Sequence, residues 1–148
     1  MAEDRDVLLK HYGDMRAALL TAIDGLSPER LAEPSLDGWS VNDHLAHLAF
    51  WDEIRAAEIE RISAGYATAW PPEAWEIYAS IGRELRKHFT SEQARWELER
   101  THRTLLGAIA AATDAGLDPP RYGEAGLLSH HEAQHTAWIK RWRAEHRR

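Results

Sequence analysis

Residues 38–52 read GWSVNDHLAHLAFWD and contain the clearest start signal of a helix in this chain. Ser40 is a good N-cap, Asp43 occupies the capping-box position three residues later, and Trp39 is placed to pack on His44. Apolar residues then recur at spacings of three and four, which predicts a long amphipathic helix. The same periodicity recurs along most of the chain, and no segment alternates as a half-buried strand does. The sequence therefore predicts an all-α protein.

Four long helices and one additional helix account for most of the 148 residues. A short capped turn, Ser27-Pro28-Glu29-Arg30, follows the first helix. Ser129 with Glu132 forms a second possible capping box, which would start the last helix later than its apolar pattern does. The predicted inward faces include Val7 and Leu20 of the first helix and Trp96 of the third long helix. The predicted helices span about 4–23, 40–65, 73–88, 91–113 and 124–146.

The connection between the second and third long helices, residues 66–90, opens with Trp70-Pro71-Pro72 and contains the additional helix. It is long enough to let those two helices run parallel, which favours a four-helix bundle of up-down-down-up order. The alternative is up-down-up-down, with the additional helix lying across the end of the bundle. The length predicts one domain over residues 1–148.

Composition excludes several classes of function. The chain has no cysteine, so disulfides, cysteine zinc sites, iron–sulfur clusters and a cysteine nucleophile are excluded. The net charge of −6 argues against a nucleic-acid binder that neutralises phosphates. No apolar signal segment or membrane span is recognisable, so we expect a cytoplasmic protein. The basic C-terminus, KRWRAEHRR, could dock an acidic partner, but it is typical of cations that complement a helix dipole.

Two histidines of the last helix, His131 and His135, lie four residues apart on its apolar face. This spacing places both imidazoles on one side of a helix, where they can bind one metal. Two buried imidazoles are hard to satisfy with bundle side chains alone, so we favour a metal site over a water-bridged pair of core histidines. His47 of the second helix is the better third ligand. His44 has a structural role under Trp39 and is the alternative.

The other five histidines have no predicted ligand role. His130 is rotated by about 100° from His131, which places it behind the site or in solvent. The remaining four are isolated and are interpreted as surface or packing residues: His11, His88, His102 and His146.

His131-Glu132-x-x-His135 is also the H-E-x-x-H motif of zinc peptidases, in which the glutamate is the general base. Only thirteen residues follow the motif, so no separate helix can supply a further ligand. Trp138 stands where the longer peptidase motif has glycine, and no strand is predicted that could align a peptide. We therefore favour the bundle site, with Glu132 either facing solvent or supporting the ligands.

Four further residues lie near the predicted ligands by helical spacing. Asp52 is a candidate to support the ligands from behind. Trp39, Trp51 and Trp138 are candidates for the pocket wall, although core packing is the stronger interpretation of each of them.

These two motifs resemble those of the DinB/YfiT-like superfamily of metal-dependent four-helix-bundle proteins. Residues 38–52, in the pattern GWSVxDHLxHLxxWD, are similar to the family's tryptophan-led second helix, and HExxHxxxI at 131–139 matches the paired histidines of its fourth helix. The resemblance implies an up-down-down-up bundle that holds a divalent metal, often zinc or nickel, with three histidines, here His47, His131 and His135. The extra His44 and His130 and the inserted helix depart from the family's simplest pattern.

The leading functional hypothesis is a metal-dependent enzyme with an open coordination position. Nitrogen ligands suit zinc, nickel, cobalt or iron. The resemblance adds that some relatives use a low-molecular-weight thiol such as mycothiol or bacillithiol, so a small-molecule substrate and a transferase or hydrolase reaction are expected. The rival is a non-catalytic binding or dimerisation module with structural or metal-scavenging histidines. Seven tryptophans on a small bundle also make a homodimer a hypothesis.

Overall fold

The computed structural model describes residues 1–69 and 75–147, without the side chains of Trp75, Glu124 and Ala125. The predicted Trp70-Pro71-Pro72 opening of the long connection lies outside the described residues. The described chain is helical, and its one β-feature is an isolated bridge between Leu36 and Trp39. The described residues form six α-helices: α1 (Arg5–Ile23), α2 (Pro28–Ala32), α3 (Val41–Ser63), α4 (Trp75–Arg86), α5 (Ser91–Ala111) and α6 (His131–Glu145).

The start of α3 confirms the capping box predicted from sequence. The Ser40 hydroxyl accepts a hydrogen bond from the Asp43 backbone N–H at 3.0 Å, and the Asp43 carboxylate accepts one from the Ser40 N–H at 2.9 Å. The Trp39 ring lies 5.2 Å from the His44 ring, as the predicted contact requires. Two otherwise unpaired backbone donors are thus satisfied, which fixes the first turn of the helix that carries His44 and His47.

The predicted start of the last helix, at about residue 124, is wrong. Residues 119–125 form a 3-10 helix that contains a positive-φ glycine, Gly123, and α6 begins only at His131. The later start suggested by Ser129 and Glu132 is close to the observed one, but their capping box does not form. Ser129 Oγ accepts from the His131 N–H at 3.2 Å, whereas the Glu132 side chain binds Arg16 instead.

Some residues predicted to face the core are exposed, among them Val7, Leu20 and Trp96, and helical geometry explains these three. The buried face of α5 runs through Ala94, Leu98 and Leu105, and Trp96 is rotated by about 200° from Leu98, so its side chain is 60 % exposed. Val7 and Leu20 are each one residue, or about 100°, away from the fully buried Leu8 and Leu19 of α1.

The core lies between the four long helices and consists mainly of leucine, isoleucine and alanine. One cluster joins Leu8 of α1, Ile59 of α3 and Ile109 of α5, and a second joins Leu19 of α1, Leu45 of α3 and Ile139 of α6. Burial of these apolar side chains is the main stabilising contribution to a bundle of this kind.

Polar contacts indicate the relative directions of α3 and α5. Asn42 pairs with Ser91, Glu53 with Arg100, and the Ser63 hydroxyl with the Thr113 N–H, so residue numbers rise together along both helices. Parallel neighbours require this order. The pairs support the up-down-down-up arrangement, which stays a prediction for the bundle as a whole. Among the described residues, no helix has the length and apolarity needed to cross a membrane.

Candidate metal centre

Three imidazoles from α3 and α6 converge on one point. The Nε2 atom of His131 lies 3.0 Å from Nε2 of His135 and 3.2 Å from Nε2 of His47. One ligand nitrogen from each ring lies within 4.8 Å of the other two. The structure therefore brings together the three residues that the sequence predicts as ligands, and their nitrogen atoms could hold a metal ion.

Hydrogen bonding alone does not satisfy this cluster. A neutral imidazole nitrogen carries either one proton or one lone pair, so it forms one well-directed hydrogen bond. Nε2 of His131, however, faces two other Nε2 atoms at once. In a tetrahedral site with Zn–N distances of about 2.0–2.1 Å, ligand nitrogens lie roughly 3.3 Å apart. Both the donor set and the observed separations fit a divalent ion such as zinc.

Burial keeps these three imidazoles neutral. Desolvation, followed by the charges of neighbouring histidines, lowers the pKa of His47 to about 3 and that of His135 to about 2. Desolvation and the charge of Arg55 lower the pKa of His131 to about 4. Near neutral pH each ring therefore offers a lone pair, which is the form that binds a metal.

His44, the alternative third ligand, lies beside the cluster rather than in it. Its Nδ1 atom is 2.7 Å from Nδ1 of His135, whereas His135 turns its other nitrogen, Nε2, toward the cluster. His44 is not one of the residues whose nitrogens converge. The structure thus favours His47 over His44.

The two carboxylates predicted near the site are both held by one arginine. Arg16 of α1 places Nη2 2.6 Å from Asp52 of α3 and 2.9 Å from Glu132 of α6, and its Nη1 donates to the Leu98 carbonyl of α5 at 2.9 Å. Each of the three charged residues is at least 92 % buried. Burial raises the pKa of Asp52 to about 6, and the positive charge of Arg16 opposes that rise.

Glu132 therefore lacks the freedom of a peptidase base. Two Arg16 nitrogens bind its two carboxylate oxygens, at 2.9 and 3.2 Å. This arrangement weighs against the peptidase interpretation of the H-E-x-x-H motif.

Sequence reasoning missed Arg16, which connects all four long helices. A signal was present, because Arg16 stands four residues after Tyr12 and three before Leu19 on the buried stripe of α1. A charged residue in such a stripe is almost never buried without a partner. The partners lie 36 and 116 residues away, and spacing within one helix does not reveal them.

The three predicted tryptophans surround the cluster. Trp39 and Trp51 lie 5.4 and 6.2 Å from the His47 ring, and Trp138 lies 4.9 Å from the His135 ring. A cavity of about 240 Å³ opens beside them, lined by Leu36, Asp37, Trp39, His44, His135, Trp138 and Arg141. The three converging histidines are thus bordered by an aromatic wall with polar groups at its edge.

The five remaining histidines do not belong to the group whose nitrogens converge. His11 contacts the Ser129 carbonyl through Nε2 at 2.7 Å, and His130 is exposed with its ring 5.2 Å from that of His11. His146 contacts the Trp142 carbonyl, His88 is exposed, and His102 is half-buried.

Comparison with known proteins agrees with the resemblance seen in the two motifs. The family model of the DinB superfamily matches residues 11–139, which include all four long helices in whole or in large part and the three converging histidines. No curated protein and no solved structure matches the chain. The match covers most of the sequence, and the chain belongs to the DinB superfamily.

Proposed function

We propose that this protein is a metal-dependent enzyme whose divalent ion is held by His47, His131 and His135. The observation that carries the proposal is the convergence of three neutral imidazole nitrogens, 3.0 and 3.2 Å apart, in a site with no cysteine to compete for the ion. The family resemblance favours zinc or nickel, and an all-nitrogen donor set is equally compatible with iron or cobalt.

Three protein ligands leave a coordination position for a substrate. A divalent ion bound there would supply Lewis acidity, which lowers the pKa of a water or thiol so that a nucleophile exists at neutral pH. The chain contributes three lone pairs, a ring of indoles that limits access of water, and an adjoining cavity for a small molecule.

The proposed reaction class is transfer to or from a low-molecular-weight thiol, or hydrolysis. In the transfer, the thiol sulfur forms a bond to an electrophilic carbon, the leaving group departs with the bonding pair, and the thiol proton passes to solvent. Because the chain has no cysteine, the sulfur must come from a cosubstrate.

Conjugation assays test this proposal. The tag-free protein is reconstituted with zinc or nickel and incubated with chlorodinitrobenzene and glutathione, mycothiol or bacillithiol. We expect a conjugation or hydrolysis rate that chelator removes, that metal restores, and that His47→Ala abolishes while the exposed His88→Ala does not. A rate that is absent with every thiol and also with an activated ester such as p-nitrophenyl acetate, or one that chelator does not affect, would contradict an enzymatic role.

One observation favours the rival, non-catalytic function. Asp52 and Glu132, the two carboxylates predicted near the site, are both bound by Arg16, and neither is free to act as a base. A module that stores or senses metal needs no such base. Stoichiometric metal without turnover would support this second candidate.

The homodimer also stays a proposal, and the exposed face of α4 supports it. Ile77, Ile81 and Leu85 are spaced by four residues and are 60, 48 and 67 % exposed. A second copy could cover this stripe. A dimer mass in light scattering that becomes monomeric in Ile77→Glu with Leu85→Glu is expected. A monomer at micromolar concentration would contradict the proposal.

A further inference from the structure

We propose that His44 is a positioning residue of the metal centre, which holds His135 so that its Nε2 atom faces the ion. The inference rests on the proposed function, because it assigns a role relative to the ion held by the three histidines. It concerns a residue that departs from the family's simplest pattern and that is not itself placed to be a ligand.

The contact between the two side chains is short and buried. Nδ1 of His44 lies 2.7 Å from Nδ1 of His135, and each residue is 5 % exposed. Water therefore does not compete for either nitrogen. At this distance one nitrogen must carry the proton and the other must accept it.

An ion at the cluster decides which nitrogen carries that proton. Once Nε2 of His135 gives its lone pair to a metal, the neutral ring keeps its proton on Nδ1. Nδ1 of His135 then donates, Nδ1 of His44 accepts, and the proton of His44 resides on its Nε2. Metal-binding histidines commonly donate their second ring N–H to an acceptor that fixes the orientation of the ring.

The surroundings fix His44 from three sides. Its backbone N–H donates to the Ser40 carbonyl at 3.2 Å, so the capped first turn of α3 sets its position. The rings of Trp39 and Trp138 lie 5.2 and 6.3 Å from the His44 ring. An acceptor held in this way can restrict rotation of the His135 ring more effectively than a mobile water.

The other nitrogen of His44 makes no competing contact. Its Nε2 atom is buried and has no hydrogen-bond partner within residues 1–69 and 75–147. The contact with His135 is thus the one side-chain hydrogen bond of His44 in the described part of the chain. Burial of an imidazole with only one hydrogen-bonded nitrogen lowers the free energy of unfolding. Such a cost is typical of a residue that is retained for a site rather than for the fold.

Substitutions at residue 44 separate this role from simple packing. His44→Phe keeps an aromatic ring and removes the acceptor. His44→Asn places an amide oxygen near the position of Nδ1, whereas His44→Gln places its amide nearer to that of Nε2. His88→Phe is the matched control, because His88 is exposed on the chain between α4 and α5.

Zinc and nickel affinities of these variants, measured by competition with a chelating dye, give the first readout. We expect His44→Phe to lose roughly 10- to 100-fold in affinity. His44→Asn should recover most of that loss, His44→Gln should recover little, and His88→Phe should match the original protein. Equal affinity of His44→Phe and the original protein, or no advantage of Asn over Phe, would overturn the inference.

A second readout needs no substitution and therefore does not depend on whether the variants fold. Nitrogen-15 NMR of histidine-labelled, zinc-loaded protein reports which ring nitrogen carries each proton. We expect His135 protonated at Nδ1 and His44 protonated at Nε2. A His44 ring protonated at Nδ1 would overturn the inference. Failure of the original protein to bind metal would instead overturn the proposed function, so the two failures are distinguishable.

Discussion

Arg16 of α1 binds both carboxylate oxygens of Glu132 in α6, with Nε 3.2 Å from Oε2 and Nη2 2.9 Å from Oε1. Nη2 also lies 2.6 Å from Asp52 in α3. The first turn of α6 carries His131, so this ion cluster and the candidate metal centre share one element. The stability of the bundle and the geometry of the site therefore depend on the same buried contacts.

Removal of the arginine should cost far more than removal of an exposed cation. Arg16→Met leaves two buried carboxylates without a positive partner, and we expect a loss of about 3–5 kcal/mol in the free energy of unfolding. Lys10→Met is the matched control, because the Lys10–Asp14 pair is more than 60 % exposed on both sides and should contribute less than about 1 kcal/mol. Urea denaturation measures both. Similar losses for the two variants would show that the cluster is not a determinant of stability.

Glu132→Gln tests the peptidase interpretation directly. Because Arg16 holds this carboxylate, we expect a destabilised protein that still binds one metal per chain and keeps whatever metal-dependent turnover the original protein has. Metal analysis and the conjugation assay at a temperature well below the unfolding transition give the comparison. Complete loss of turnover with metal and fold intact would identify Glu132 as a base and contradict this account.

Metal should stabilise the folded state through linkage. An ion that binds only the folded protein raises the free energy of unfolding by about 2.7 kcal/mol at a free concentration of 100 times Kd. We expect zinc or nickel to raise Tm in the original protein and in His88→Ala, and to have no effect in His135→Ala. Differential scanning calorimetry with and without chelator measures the shift. An undiminished rise in His135→Ala would place the ion elsewhere.

Stability of the metal-free protein should fall as the pH falls from about 6.5 toward 4. Burial lowers the pKa of His44 and of His102 to about 4, and it also lowers the pKa of each of the three converging histidines, whereas the unfolded value is about 6.5. The unfolded state therefore takes up these protons first, and each proton costs up to about 1.4 kcal/mol per pH unit. Asp52, with its pKa raised to about 6, acts in the opposite direction below that pH, but it is one group against five.

Urea denaturation at pH 7, 6 and 5 in the presence of chelator measures this dependence. His102→Asn should reduce the change in the free energy of unfolding per pH unit by about the contribution of one proton, because it removes one of the groups that become charged on unfolding. Unchanged or rising stability between pH 7 and pH 5 would show that burial does not keep these histidines neutral.

Local signals predicted the parts of the structure that depend on neighbouring residues. The capping box of Ser40 and Asp43 and the four-residue spacing of His131 and His135 are complete within one turn of helix, so the sequence contains all the relevant partners. The position of His47 on α3 relative to the apolar stripe decides which way its ring points, so the sequence also predicts that it faces the paired histidines.

Contacts between residues far apart in the sequence decide the features that the sequence alone does not predict. The capping box of Ser129 and Glu132 does not form because Glu132 pairs with Arg16, and those two side chains are 116 residues apart. Trp96 is exposed because Ala94, Leu98 and Leu105 define the face of α5 that meets the core. Periodicity identifies an amphipathic helix, but the packing partners decide where the boundary of its buried face lies.

The most direct test of the account is the metal content of the tag-free protein and of a variant that lacks two of the three converging nitrogens. Elemental analysis after reconstitution and gel filtration should find about one zinc or nickel per chain in the original protein and in His88→Ala. His47→Ala combined with His131→Ala should retain less than about a tenth of an ion per chain. Stoichiometric metal in the double variant, or less than about a tenth of an ion in the original protein, would contradict the three-histidine site.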